Sequence, residues 1–213
     1  MRTTPALLAL ALLCSASAFS RSPNPAAPPM PTTSAPTAVL VEDHGLALHA
    51  QFDYTASTRA LHVRYTIENK GDTAMAVFDR GDSVAVATHK LEPGAVPAPL
   101  TEAGDGALTL SQRALPLPAH APTVPRIPLA ARLDAGHSLE GAFSASADAL
   151  TAGSPITRVR ACIGVAAFSD ELFSEPETVG KLQILRASFK AVARQRLLCT
   201  PWFDLASQAF AKD

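Results

Sequence analysis

The residues whose types allow chemistry are few and dispersed. His49 and His62 occupy outward positions on two neighbouring alternating segments. A register that sets His49 opposite Arg64 and His62 opposite Gln51 makes the imidazoles diagonal neighbours, within reach of one metal ion. Arg64 beside them repels a cation, and only Glu68 or Asp53 is near enough to complete a ligand set. Solvated surface side chains are therefore the simpler reading, and no metal is expected. Arg80-Gly81-Asp82-Ser83 spells an adhesion tripeptide. Asp79-Arg80-Gly81-Asp82 is also the composition of a tight turn, with glycine supplying a positive φ, and it is read as a turn. Gly136-His137-Ser138-Leu139-Glu140 fails the nucleophile-elbow pattern at its last position. Gly104-Asp105-Gly106 lacks the third glycine and the following helix that phosphate binding needs, so it too reads as a turn. No H-E-x-x-H, C-x-x-C, P-loop or dinucleotide fingerprint occurs, so neither a catalytic set nor a cofactor is expected.

Cysteines and arginines give a second constellation. Cys162 and Cys199 are the two cysteines left once a leader is removed, and an even pair in an oxidising compartment most simply forms one disulfide. Arg158 and Arg160 share the outward face of their strand with Cys162, and Arg194 and Arg196 precede Cys199. A bridge would gather these four arginines into a basic patch suited to acidic ligands, envelope polymer or lipid headgroups. The alternative is a solvated face balanced by Asp170, Glu171, Glu175 and Glu177. Trp202-Phe203 reads as a plug that closes the core.

The ends of the chain set the compartment. Residues 1–18 read as a secretory signal peptide: Arg2, an apolar run from Ala6 to Leu13, and Ala16-Ser17-Ala18 as the cleavage site, so that the mature chain begins at Phe19. The run is too short to cross a bilayer, and no later segment is long and apolar enough. Cys14 keeps a lipidated alternative open, although Leu13 is bulkier than a lipoprotein pattern wants before its cysteine. Residues 19–38 form a Pro-rich disordered linker; Ser22–Thr37 hold six prolines and no charge. Residues 39–213 are left for a single domain. The 18 basic and 19 acidic residues nearly balance, which argues against nucleic acid as a partner.

Within 39–213 the alternation is that of strands. Leu46, Leu48, Ala50 and Phe52 face one way and Ala47, His49, Gln51 and Asp53 the other. After a turn over 54–60, Leu61, Val63, Tyr65 and Ile67 continue inward. Ala74–Phe78 is a further strand, with Val84, Val86 and Thr88 continuing the period. Eight prolines in 93–128 restrict that region to loops and edge strands. Short strands follow at 107–110, 125–133, 138–144 and 157–165. The segment 181–199 reads as a strand near 181–186, a helical turn near 188–194 and a final strand near 195–200, with a continuous helix over 181–196 as the alternative. The fold class expected is all-β: an immunoglobulin-like antiparallel β-sandwich with Pro-rich loops and one short helix near the C-terminus.

Two stretches add a family resemblance. Tyr65-Thr66-Ile67-Glu68-Asn69-Lys70-Gly71-Asp72-Thr73, with Val77-Phe78 after it, resembles the strand–turn–strand hairpin of CARDB-like and BsuPI-like modules of bacterial envelope proteins. Arg132-Leu133-Asp134-Ala135-Gly136-His137-Ser138-Leu139 resembles their L-x-x-G-x-S turn. The resemblance implies a sandwich architecture and leaves the activity open. The chain departs from a true immunoglobulin domain: no tryptophan lies between the cysteines, and Leu197 rather than tyrosine stands two before Cys199. The expected role is an exported, non-enzymatic binding or accessory module of the envelope with a protein or envelope component as partner. The alternatives are a lipid-anchored spacer through Cys14, or a hydrolase or metal-dependent enzyme with a site assembled from distant residues.

Overall fold

This alternation builds fourteen strands among the residues that the computed structural model describes, which are 37–84, 100–117, 119–120, 126–146, 156–179 and 182–211. The leader, Cys14, most of the linker, Val86 and Thr88 lie outside the described residues. Strands β1 (Ala38–Asp43), β2 (Leu46–Thr55), β3 (Ala60–Asn69) and β8 (Ser138–Ala145) form one antiparallel sheet in the order β1-β2-β3-β8. The second, larger sheet is centred on β9 (Arg158–Ala167). One edge of β9 carries β4 (Met75–Val77) and β6 (Ala107–Gln112), end to end; the other carries β12 (Arg196–Cys199) and β13 (Phe203–Asp204). β5 (Leu100–Gly104) extends the sheet beyond β6, β14 (Ala209–Phe210) extends it beyond β13, and β7 (Leu129–Leu133), β11 (Leu182–Arg186) and β10 (Glu177–Val179) extend it beyond β4. The result is the expected all-β sandwich with one short helix, α1 (Phe189–Val192). The strand–turn–strand reading of 181–199 holds, and the continuous helix does not form.

Two hairpin turns show how local chemistry fixes register. Between β5 and β6 only Asp105 and Gly106 are unpaired, with φ of 51° and 71°. Between β1 and β2 the loop is His44-Gly45, with φ of 46° and 78°. Two consecutive positive φ values match the right-handed twist of the flanking strands. The turn between β2 and β3 departs from expectation. It is only residues 56–59, with Arg59 at φ 48°, because Tyr54, Thr55 and Ala60 join the ladder. His49 is therefore opposite Thr66, Gln51 opposite Arg64 and Asp53 opposite His62. This two-residue shift keeps every side chain on its expected face, since the side-chain period is two. It also moves the histidines apart, so they are not diagonal neighbours.

The core lies between the sheets. Leu48, Phe52, Val63 and Ile67 from the first sheet and Leu108, Leu110, Val159, Ile163, Leu198 and Phe203 from the second belong to one buried cluster. The Phe52 and Phe203 rings stand 5.2 Å apart, and Phe210 packs edge-on against both. Full burial of each such ring contributes about 1.5–3 kcal/mol. A second cluster covers the outer face of the larger sheet, where Ala76, Ala130 and Ala166 keep the surface low enough for Phe78, Phe173, Leu185 and α1's Ala191 to pack on it. β6 differs from expectation: it pairs on both edges, antiparallel to β5 and parallel to β9. Val84 lies outside any strand.

Candidate functional site

Antiparallel pairing sets Cys199 directly opposite Cys162, and the two form a disulfide. The next pair, Thr200 and Ala161, carries the backbone hydrogen bond (Thr200 N–H to the Ala161 carbonyl, 2.8 Å), so the cysteines occupy a non-hydrogen-bonded position. Facing Cα atoms approach most closely at such positions. Beyond the bridge the register slips by one. Phe203 is opposite Val159, whereas continuation of the β12 pairing would have put Trp202 there. Thr200 and Pro201 thus oppose a single residue, Ala161, and form a bulge. Proline suits a bulge because it has no N–H to lend to a ladder. The Thr200 hydroxyl accepts the Ala161 N–H at 3.1 Å.

The bulge exchanges two aromatic side chains. Phe203 turns inward and is fully buried. Trp202 turns outward, half-buried, onto the strand face that carries Arg158 and Arg160. The expected core plug is therefore Phe203 alone. The guanidinium carbons of Arg160 and Arg158 lie 4.6 and 4.9 Å from the centre of the Trp202 ring. Cation–π contacts of this kind contribute about 0.5–1 kcal/mol when exposed. Arg160 is further fixed by its Nε–H, which donates to Thr109 Oγ1 at 3.1 Å from the parallel partner strand β6.

Neither arginine is neutralised. Among the described residues, no carboxylate forms an ion pair with Arg158 or Arg160. Asp204 stands opposite Arg158 in the register. Its Oδ1 instead accepts the Ser207 N–H at 2.7 Å and the Ser207 hydroxyl at 2.8 Å, and these bonds hold the carboxyl below its ordinary pKa. Glu102 is paired with Arg113, and Glu177 with Arg186.

The other two arginines of the expected patch are placed differently. Arg196 lies three residues before Cys199, on the opposite face of β12. It reaches across to the other sheet, where it pairs with Asp43 at the β1–β2 turn. Arg194 is exposed in the turn after α1, its N–H bonded to the Ala191 carbonyl.

Elsewhere the polar groups serve the fold. Arg80 of the adhesion-like tripeptide is 6% exposed, so it is not available to a receptor. It pairs with the buried Asp79 at 2.9 Å, and Tyr65 Oη donates to Asp79 Oδ2 at 3.0 Å. Desolvation raises the Asp79 and Tyr65 pKa values; the adjacent Asp79 charge raises that of Tyr65 further. The Arg80–Asp79 contact is an ion pair without hydrogen-bond alignment, and it leaves Asp79 Oδ1 and Arg80 Nε unbonded among the described residues. The sequence reading missed this triad. Its one available signal was an arginine and two acids next to a buried strand. His62 Nδ1 sits 3.0 Å from Ser144 Oγ, and Arg64 pairs with Asp53 at 2.8 Å. A shallow groove of about 710 Å³ crosses the outer face of the smaller sheet between Leu40, His49, Arg64 and Glu140. Among the described residues, no group of three or more His, Cys, Asp and Glu side chains is placed to hold a metal ion. No described helix is long and apolar enough to cross a membrane.

No protein-family model, curated protein or solved structure matches the chain.

Proposed function

We propose that the protein is an exported, non-enzymatic binding module of the cell envelope, which meets an acidic partner through the Arg158–Trp202–Arg160 face. The observation that carries this reading is two guanidinium groups held on one indole with no carboxylate among the described residues paired to either. A pair of guanidinium groups without carboxylate partners beside an aromatic ring raises the local concentration of anions. The leader-like N-terminus and the disulfide support export. The hairpin and turn chemistry resembling CARDB-like and BsuPI-like modules supports an accessory role on a β-sandwich.

The test is site-specific photocrosslinking in the native envelope. A crosslinker at Leu197, which is exposed on the same face, should capture a partner, and the capture should be lost in Arg158→Gln. A crosslinker at Thr58, on the β2–β3 turn, serves as the control. Equal capture from both positions, or none from Leu197, refutes the reading. A second reading, a lipid-anchored spacer, is favoured by Cys14 standing just before a proline-rich stretch. Cell fractionation of Cys14→Ala tests it, and unchanged localisation removes it.

A further inference from the structure

We infer that the Arg158–Trp202–Arg160 face is an oxyanion-binding site whose ligand presents two phosphate or carboxylate groups, one to each guanidinium. This inference rests on the functional reading of the same face. The two arginines are two residues apart on one strand, so their backbones are about 7 Å apart and their side chains leave the same surface. The contacts with the Trp202 ring hold both guanidinium groups near one point without hydrogen-bonding their N–H groups. Among the described residues, the one side-chain hydrogen bond from either guanidinium is that of Arg160 Nε to Thr109 Oγ1, so the terminal nitrogens of both are uncommitted. A planar fork of this kind matches two oxygens of one carboxylate or phosphate, a match that a lysine ammonium does not offer.

The surroundings favour an anion over a cation. Glu102 is paired with Arg113, and Asp204, the acid nearest in register, keeps its charge but turns Oδ1 to Ser207 and forms no ion pair with Arg158. In the adjacent row the buried Ser111 hydroxyl, opposite Cys162 in the register, has no hydrogen-bond partner among the described residues. The bulge and the disulfide fix Trp202 from one side and β6 fixes Arg160 from the other, so the site is organised before any ligand arrives.

Trp202 is the only tryptophan in the chain, so intrinsic fluorescence reports this face alone. The disulfide-bonded exported protein is titrated with sodium pyrophosphate, with sodium malonate, and with sodium chloride at matched ionic strength. A saturable change with pyrophosphate or malonate and none with chloride is expected. Pyrophosphate alone assigns the site to phosphate-borne ligands, and malonate alone to carboxylate-borne ones. Arg158→Gln, an exposed position, should weaken binding by about tenfold. Arg160→Lys should weaken it similarly, because the charge remains but the fork is lost. Retention of the wild-type melting temperature establishes that both variants are folded. A response to neither dianion, or equal affinity in wild type and Arg158→Gln, overturns the inference. Partner crosslinking that persists without any dianion response overturns this inference while sparing the binding role. Dianion binding without any crosslinked partner supports the inference and removes the protein-partner reading.

Discussion

Gly141 is where one methyl group should do the most damage. It lies on β8 directly opposite Tyr65 of β3. A Cβ added at Gly141 would stand 2.3 Å from both Cζ and Oη of Tyr65 and 2.9 Å from Cε1. The ring cannot simply swing aside, because it is buried and its hydroxyl is committed to Asp79 at 3.0 Å. Overpacking of this kind costs about 1–3 kcal/mol. Displacing the hydroxyl removes a hydrogen bond and leaves a buried acceptor without it, about 1–3 kcal/mol more. Against this, replacing a strand glycine returns about 0.5–1 kcal/mol. The net for Gly141→Ala is a loss of about 3 kcal/mol, or about 10 °C in melting temperature for a domain of this size. Urea denaturation of wild type, Gly141→Ala, Tyr65→Ala and the double variant closes a cycle. Tyr65→Ala is itself destabilising, but it vacates the space, so Gly141→Ala should cost almost nothing in that background and the coupling should be about 3 kcal/mol. A Gly141→Ala loss below about 1 kcal/mol, or the same loss in both backgrounds, would refute the reasoning.

Three further outcomes are expected. Removing the bridge in Cys162→Ala/Cys199→Ala should cost about 3–4 kcal/mol by thermal unfolding, as the chain-entropy model gives for a closed loop of this length, and it should change Trp202 fluorescence before unfolding begins; an unchanged native spectrum would mean that the bulge holds without the bridge. Gln195→Ala should destabilise by about 2 kcal/mol in urea, because the Gln195 amide accepts the Ala114 N–H at 3.1 Å and donates to its carbonyl at 2.7 Å, leaving both without those partners when lost; a neutral result would show that water replaces it. Because burial raises the Asp79 pKa above its unfolded value, the stability contribution of this group is fully present below that unfolded value of 3.8 and is lost as pH rises through the folded value; the stability of wild type relative to Asp79→Asn should therefore increase on acidification toward pH 3.8, and a difference that is flat or falls would contradict the burial argument.

Much of the fold was legible because alternation has a period of two. The inward residues of β2 and β3 were assigned correctly although the register was shifted by two, since an even shift preserves the face. Gly104-Asp105-Gly106 announced a turn by composition, although the strand before it, β5, was not expected. The parallel pairing of β6 with β9 was hidden because strand order depends on contacts between segments about fifty residues apart, and no local pattern encodes them. At the site the same parity rule cut both ways. Arg158, Arg160 and Cys162 are separated by even steps and share a face, as expected. Arg196 is an odd step from Cys199 and had to point the other way, which the sequence alone was able to show. Pro201 was also a readable sign of a bulge. Without it, Trp202 and Phe203 exchange faces, and the site loses its aromatic centre. Of the Tyr65–Asp79–Arg80 triad only the adjacent acid and arginine show in the sequence; Tyr65 belongs to a strand that meets their turn only once the chain has folded.

The bridge also determines how the chain would bear load. Cys162 and Cys199 are 37 residues apart, and everything between them, including β10, β11 and α1, lies in a covalently closed loop. A pull applied at the two termini passes from Cys162 to Cys199 through the sulfur atoms and bypasses that loop. About 130 Å of contour length therefore stays stored while the bridge is intact, and reduction would release it as slack between the two ends.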